Sequence, residues 1–446
     1  MLIKTGARSL DIPPEKRYHL PQDLSVKMYS GFALLISPEN GNWIVLENQV
    51  QIDIYKALMN GKSVGEVSED FKQNANEIHS VLRQIEGRHF EFKISADENN
   101  FALRIYLTNA CNLRCRHCFV YAGTAHSEEL SLEEIENLIT SCHEDGANKL
   151  ILTGGEVLMR KDFEQIIRCG KSAGMYVQVL TNGTLWDETR VKNFSRYIDE
   201  VQISIDGFDE KSNAEIRGAQ VFDKALTAVD LFYRFSEIFI NAVVTPMYAD
   251  LEKHYDEFVG FAKNLIARYG YERFLIIFQG ELLNGRNFIA ENDLNLAQKI
   301  LVDRLHEEIY ENSELTTFVL NHRGNRLQKN CGYGGLTVGS TGDIYFCGRI
   351  SEIKSYGNVR QMAMPEVLAL RKKIRRCTSV DNLSPCNECE LKYICGGGCR
   401  INNFPAVLKI SAADLDKNLP LNRSEQCQLK KKYYRLMIES SDYLLE

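Results

Sequence analysis

The chain has 446 residues, enough for about three domains of roughly 150 residues each. Its 44% hydrophobic and 25% charged content fits a water-soluble globular protein, and a net charge of −7 argues against non-specific nucleic-acid binding. No apolar run nears the ~20 residues of a membrane span, and the opening Met1-Leu2-Ile3-Lys4-Thr5-Gly6 lacks a signal-peptide core. Thirteen cysteines without an export signal therefore point to metal ligation in a reducing, oxygen-poor cytoplasm rather than to disulfides. Along the chain, residues 31–36 read as a strand, 38–42 as a turn and Trp43–Leu46 as the returning strand. Three short helices follow: Ile52, Ile54, Tyr55 and Leu58 mark the first. Ser63 with Glu66 forms the capping box of the second, and the third runs from Ala75 past Ile85. This reads as a small winged-helix module over residues 1–98. Its third helix mixes Glu77, Arg83, Glu86 and Arg88 with two histidines, a poor composition for gripping phosphate. A DNA-binding role or a packing role remains open on these residues alone.

Residues 99–290 alternate strand and helix. The expected strands are Ala102–Leu107, Lys149–Thr153, Tyr176–Thr181, Glu200–Ile205, Ile238–Val244 and Phe274–Phe278. Ser131 and Glu134 cap a helix whose apolar stripe is Leu132, Ile135, Leu138 and Ile139. Six such repeats imply parallel strands with right-handed crossovers, a partial (β/α)6 barrel with its chemistry at the C-terminal strand ends. Directly after the first strand come Cys111, Cys115 and Cys118, spaced C-x3-C-x2-C. Three thiolates leave one iron of a 4Fe-4S cubane without a protein ligand, whereas zinc favours four closed ligands. Thr153-Gly154-Gly155-Glu156, Thr181-Asn182-Gly183, Ser204-Ile205-Asp206-Gly207 and Arg217-Gly218 lie at or after successive strand ends.

Together these segments resemble the radical S-adenosylmethionine (SAM) superfamily. The resemblance implies that SAM chelates the open iron and is cleaved reductively to a 5′-deoxyadenosyl radical. It further implies that Gly154, Gly155 and Glu156 meet the SAM amino group, Ser204 the ribose and Arg217 the carboxylate. Asn182 is a further candidate contact, and His117 stands where the family places an aromatic ring near the adenine. Val157 departs from the proline many members carry after the glutamate. Beyond the cluster ligands no catalytic residue is assigned. Cys142 and Cys169 read as structural helix residues.

Residues 291–325 read as a connecting helical region, and 326–446 as a cysteine-rich segment with too little apolar pattern for a core of its own, held together by metal. Its cysteines are Cys331, Cys347, Cys386, Cys389, Cys395, Cys399 and Cys427, with Cys377 outside the pattern. This array resembles the SPASM extension of peptide-modifying radical SAM enzymes. By that resemblance Cys386, Cys389, Cys395 and Cys427 close one auxiliary 4Fe-4S cluster, and Cys331, Cys347 and Cys399 hold a second. No cysteine lies in residues 332–337 to complete the second, so an open iron is expected there, with Cys377 as a candidate to close it. The basic run Arg371–Arg376 reads as a solvated helix face.

The N-terminal module in turn resembles the PqqD-like precursor-recognition domain, in which a leader peptide adds as a strand to the sheet edge. The whole plan is similar to that of sactipeptide and ranthipeptide maturases. It implies a cytoplasmic enzyme with SAM and three 4Fe-4S clusters, one binding SAM and two auxiliary. It would form a cysteine thioether in a ribosomally made precursor whose cysteine binds the open auxiliary iron. Implied partners are the precursor and a reductant such as flavodoxin or ferredoxin, with no nucleic acid or membrane. The alternatives are a maturase making carbon–carbon or ether cross-links or epimers, an anaerobic sulfatase-type maturase, and, from another class, a metal-containing DNA-binding regulator.

Overall fold

The computed structural model describes residues 11–91, 100–289, 292–322, 327–411, 415, 421–441 and 443. The opening hexapeptide and the expected boundaries at 98/99, 290/291 and 325/326 lie outside the described residues. The chain begins with an antiparallel meander of β1 (Ser25–Tyr29), β2 (Phe32–Ile36) and β3 (Trp43–Leu46). Three helices follow, α1 (Gln49–Met59), α2 (Val64–Asp70) and α3 (Ala75–Gly87). The Asn48 side chain caps α1, and the expected Ser63–Glu66 capping box opens α2. β1 was not anticipated, because Val26 and Met28 face solvent and leave no apolar run to read.

Six parallel strands then pair in chain order: β4 (Phe101–Tyr106), β5 (Ala147–Thr153), β6 (Tyr176–Thr181), β7 (Glu200–Ile205), β8 (Phe239–Val244) and β9 (Phe274–Phe278). Between and after them run α4 (Leu132–Glu144), α5 (Phe163–Ser172), α6 (Glu188–Phe194), α7 (Glu210–Arg217), α8 (Phe222–Phe235), α9 (Tyr248–Lys253), α10 (Tyr255–Tyr269) and α11 (Asn292–Ile309). On β7, buried Val201, Ile203 and Ile205 alternate with half-buried Gln202 and Ser204, the period of a strand with two different faces. At the strand starts, Gln178 Nε2 donates to Glu200 Oε1 at 2.7 Å, Asn241 Nδ2 donates to the same oxygen, and Lys149 Nζ lies 3.2 Å from Oε2. This polar plug satisfies a buried carboxylate at the end opposite the cysteine loop.

The remaining elements are α12 (Ser313–Asn321), β10 (Leu336–Val338), β11 (Ile344–Tyr345), α13 (Met364–Cys377), β12 (Leu383–Ser384), α14 (Lys392–Cys395), α15 (Arg400–Asn403), β13 (Leu421–Asn422) and α16 (Lys430–Glu439). The single connecting helix expected near 290–320 is two helices, parted at Asn312, which takes a left-handed φ of 54°. β10 pairs in parallel with β4 and antiparallel with β11, extending the sheet to eight strands. Among the described residues no helix is long and apolar enough to cross a membrane.

The chain divides into two compact units. The first combines Met1–Glu98, Asn312–Tyr333 and Arg375–Glu446, and the second combines Asn99–Glu311 and Gly334–Ile374. In the first, one face of the meander packs Ala33, Leu35, Ile44 and Leu46 with α1–α3. The other face packs Leu34, Ile36, Trp43 and Val45 against Phe318 of α12 and Met437 of α16.

Candidate active site

Cys111, Cys115 and Cys118 sit on the loop leaving β4, as the sequence predicts. The loop is closed on itself: the Cys111 amide donates to Gly123 O at 3.0 Å, and the Gly123 amide donates to Asn109 O at 2.7 Å. Backbone amides of Leu113 and Ala122 point at the Cys111 and Cys118 sulfurs, each at 3.4 Å. Burial pushes the Cys111 and Cys115 thiols up from their ordinary value, while Arg217 beside Cys115 works the other way. A bound metal would override that burial cost by removing the thiol proton.

The turn after β5 is stitched to the same loop. The Gly155 amide donates to Thr108 O at 2.7 Å and the Glu156 amide to Ala110 O at 2.8 Å. A Cβ on Gly155 would lie 2.2 Å from Ala110 O, and one on Gly154, at φ 147°, 2.6 Å from Thr108 O. Only glycine lets these two backbones approach so closely. The Glu156 carboxylate is fully buried and engaged within the protein. Thr181 Oγ1 donates to Oε1 at 2.7 Å, the Asn182 amide to Oε2 at 2.8 Å, and the Leu158 amide to Oε1 at 3.4 Å. Burial raises the Glu156 pKa against the pull of these donors. Asn182 Nδ2 in turn donates to Asn112 Oδ1 at 3.0 Å and lies 4.0 Å from Cys111 Sγ.

α7 delivers Arg217. Its N-terminus is fixed by a capping box of Asp209 with Ser212, and it stops at Gly218. Arg217 Nη1 stands 3.9 Å from Cys115 Sγ, and the Arg116 amide donates to Ile216 O at 2.9 Å, joining the helix end to the cysteine loop. A residue not singled out from the sequence organises this side. Asp206, 1% exposed, holds Arg217 Nε at 2.5 Å and His117 Nε2 at 3.1 Å on the same Oδ2, while its Oδ1 accepts from the Thr245 amide at 3.0 Å. Burial acts to raise the Asp206 carboxyl, but Arg217 and His117 outweigh it and hold it at about 2. Both His117 and Arg217 thus carry a carboxylate within the protein. Ser204 is half-buried on β7, its hydroxyl without a partner among the described residues. The one sequence signal for Asp206 was its place just past a strand end; its two partners are distant in the chain.

In the first unit, Cys386, Cys389, Cys395 and Cys427 line one cavity of ≈ 160 Å³, with Lys392, Arg423, Lys430 and Tyr433 around it. Burial pushes the Cys389 thiol up to about 11 and raises Cys395 as well. Four thiols walled by three cations suit an anionic thiolate-bound cluster. Among the described residues no group of three or more His, Cys, Asp or Glu is set to hold a single metal ion. Cys331 is exposed and Cys399 half-buried in the first unit, and Cys347 is half-buried in the second. Cys377 Sγ donates to Leu415 O at 3.3 Å. Cys142 is buried on α4.

Residues 105–259 match the radical SAM superfamily, and this stretch is a radical SAM domain. The AdoMet-dependent heme synthase of Oleidesulfovibrio alaskensis is 26% identical over 325 residues, covering 67% of this chain and 82% of that protein. The mycofactocin maturase MftC of Mycolicibacterium smegmatis is 33% identical over 168 residues, 37% of this chain and 41% of the maturase. The chain therefore spans less than half of that maturase. Among solved structures, anSMEcpe with bound AdoMet and Cp18Cys peptide shares the fold at a TM-score of 0.53. It is 18% identical, with coverage of 77% of this chain and 99% of that one.

Proposed function

We propose that this radical SAM enzyme matures a ribosomally made precursor peptide, and that the bond it makes is a cysteine thioether. The observation that carries the radical SAM chemistry is the three-cysteine loop locked to the Gly154-Gly155-Glu156 turn, with Arg217 beside it. The peptide reading is supported by the similarity to a maturase and by the N-terminal meander with its three helices. When bound, a 4Fe-4S cluster with one open iron supplies the SAM site and the electron that starts radical chemistry.

Cys111, Cys115 and Cys118 would hold that cluster. The carboxylate of Glu156 already accepts three of the about four hydrogen bonds it can take. Its remaining site suits an ammonium, and its other role is to fix Asn182. Ser204 would meet the ribose and Arg217 the SAM carboxylate, with Asp206 presetting the guanidinium and the His117 ring. Cys386, Cys389, Cys395 and Cys427 would close one auxiliary cluster; Cys331, Cys347 and Cys399 would hold another. The N-terminal module would bind the leader, a flavodoxin or ferredoxin would deliver electrons, and a reducing cytoplasm would keep the thiols available.

Iron and labile sulfide per chain after anaerobic reconstitution test the cofactor reading. Wild type should hold about twelve irons, and the Cys111→Ala/Cys115→Ala/Cys118→Ala variant about eight. Zinc in place of iron would overturn it. For the bond, a cysteine-containing precursor should lose two hydrogens and a free thiol together. Retention of the thiol would select a carbon–carbon, ether or epimerised product instead.

A further inference from the structure

Arg400, on α15, is a buried charge that the site described above does not use. It is 0% exposed, yet among the described residues no carboxylate pairs with it. Its guanidinium donates only to backbone carbonyls: Nε to Thr378 O at 2.8 Å, Nη1 to Gly396 O at 2.7 Å and Gly398 O at 2.6 Å, and Nη2 to Lys329 O at 2.8 Å. Those carbonyls lie next to or within two residues of Cys331, Cys377, Cys395 and Cys399. Gly396, Gly397 and Gly398 all take positive φ, of 65°, 81° and 75°, which turns two of their carbonyls onto Arg400. The third, Gly397 O, accepts from Asn403 Nδ2 at 3.2 Å and Arg423 Nη1 at 3.3 Å.

A buried cation satisfied by neutral dipoles keeps its full charge and needs an opposite charge nearby. Among the described residues, the groups that act on Arg400 with opposite sign include the sulfurs of Cys331, Cys386, Cys395 and Cys399, which would be thiolates when they bind metal. Two of these were assigned above to each auxiliary cluster. We propose that Arg400 is a positioning residue and the shared counter-charge of both auxiliary clusters, holding the cysteine-bearing segments together and raising the clusters' reduction potentials. The inference rests on the two-cluster reading above. Its physical basis is that the potential of a thiolate-bound cluster follows net charge, hydrogen bonding to sulfur and exposure.

The test uses the full chain, reconstituted anaerobically, as wild type, Arg400→Gln and Arg400→Lys. Iron per chain and potentials from redox titration followed by electron paramagnetic resonance are read, with the SAM-binding cluster as internal reference. The glutamine variant should shift the auxiliary signals to lower potential and leave the reference unmoved. The lysine variant, which keeps the charge but not the fork, should stay near wild-type potentials. Unmoved auxiliary potentials in Arg400→Gln, or a shift in Arg400→Lys as large as in the glutamine variant, overturn the counter-charge. If the glutamine variant fails to hold clusters, the lysine variant decides: clusters at wild-type potential keep the inference, and lost clusters overturn it. Four or fewer irons in wild type would bring down the two-cluster reading itself, and the inference with it.

Discussion

At Gly155 an added methyl has nowhere to go but the Ala110 carbonyl, which is backbone and cannot swing aside. Gly155→Ala should therefore cost about 1–3 kcal/mol and weaken SAM binding, measured by thermal unfolding and by equilibrium binding of SAM. Asp206 is the converse case, a side chain whose worth lies in what it neutralises. Asp206→Asn leaves the Arg217 guanidinium buried without its carboxylate, an expected loss of about 3–5 kcal/mol with impaired loading of the loop cluster. Unchanged stability and iron content in that variant would show that Arg217 finds its counter-charge elsewhere. Both residues lay in runs that the sequence had marked. Gly155 was legible because its neighbours in sequence define it; the importance of Asp206 was not, because His117 lies 89 positions earlier and only folding brings it to 3.1 Å.

At the scale of elements, α4 illustrates how a cap can serve two purposes. Glu134 completes the capping box of Ser131 and also takes a bidentate pair from Arg360, Nε at 2.6 Å and Nη2 at 2.9 Å. The bond from Arg360, helped by the Ser131 amide against the cost of burial, holds the Glu134 carboxyl down at about 2. A carboxyl depressed in the folded state stabilises above its unfolded pKa of about 4.3 and loses that contribution as pH falls toward 2. The side chain is 33% exposed, so solvent screening limits the effect to roughly 1 kcal/mol or less. The melting temperatures of wild type and Glu134→Gln should thus differ at pH 6 and converge as pH falls from about 5 toward 2. A constant gap would mean the capping bond, not the ion pair, carries the effect. The box was readable from Ser131 and Glu134 because capping is local. Arg360, 226 residues further on, was not.

On the scale of the whole molecule, the first unit joins the two ends of the chain. Trp43, fully buried, donates from Nε1 to Met437 O at 3.2 Å, packs 5.4 Å from the Phe318 ring and lies under the Arg88 guanidinium at 4.4 Å. Trp43→Ala should cost about 3–5 kcal/mol. Because α16, which supplies Tyr433 to the cysteine cavity, shares this core, auxiliary iron should fall while the loop cluster is kept. Parallel loss of both kinds of iron would contradict that division. The cysteine-rich segment was expected to rely on metal in place of a core; part of it, α14 and α16, instead closes the back of the N-terminal sheet.

The six parallel strands, the capping boxes at Ser63 and Ser131, the cysteine loop and its companion glycines were determined by sequence alone, because periodicity and spacing express them within a few residues of one another. Short β10 and β11 gave no such signal; they exist as strands because β4 offers an open edge to pair with. Tertiary structure likewise decided that Asp206 lies between His117 and Arg217, that four cysteines wall one cavity, and that Arg400 ends among carbonyls. Each of these depends on distances between residues far apart in the chain, fixed only when the apolar faces of the elements are buried against one another.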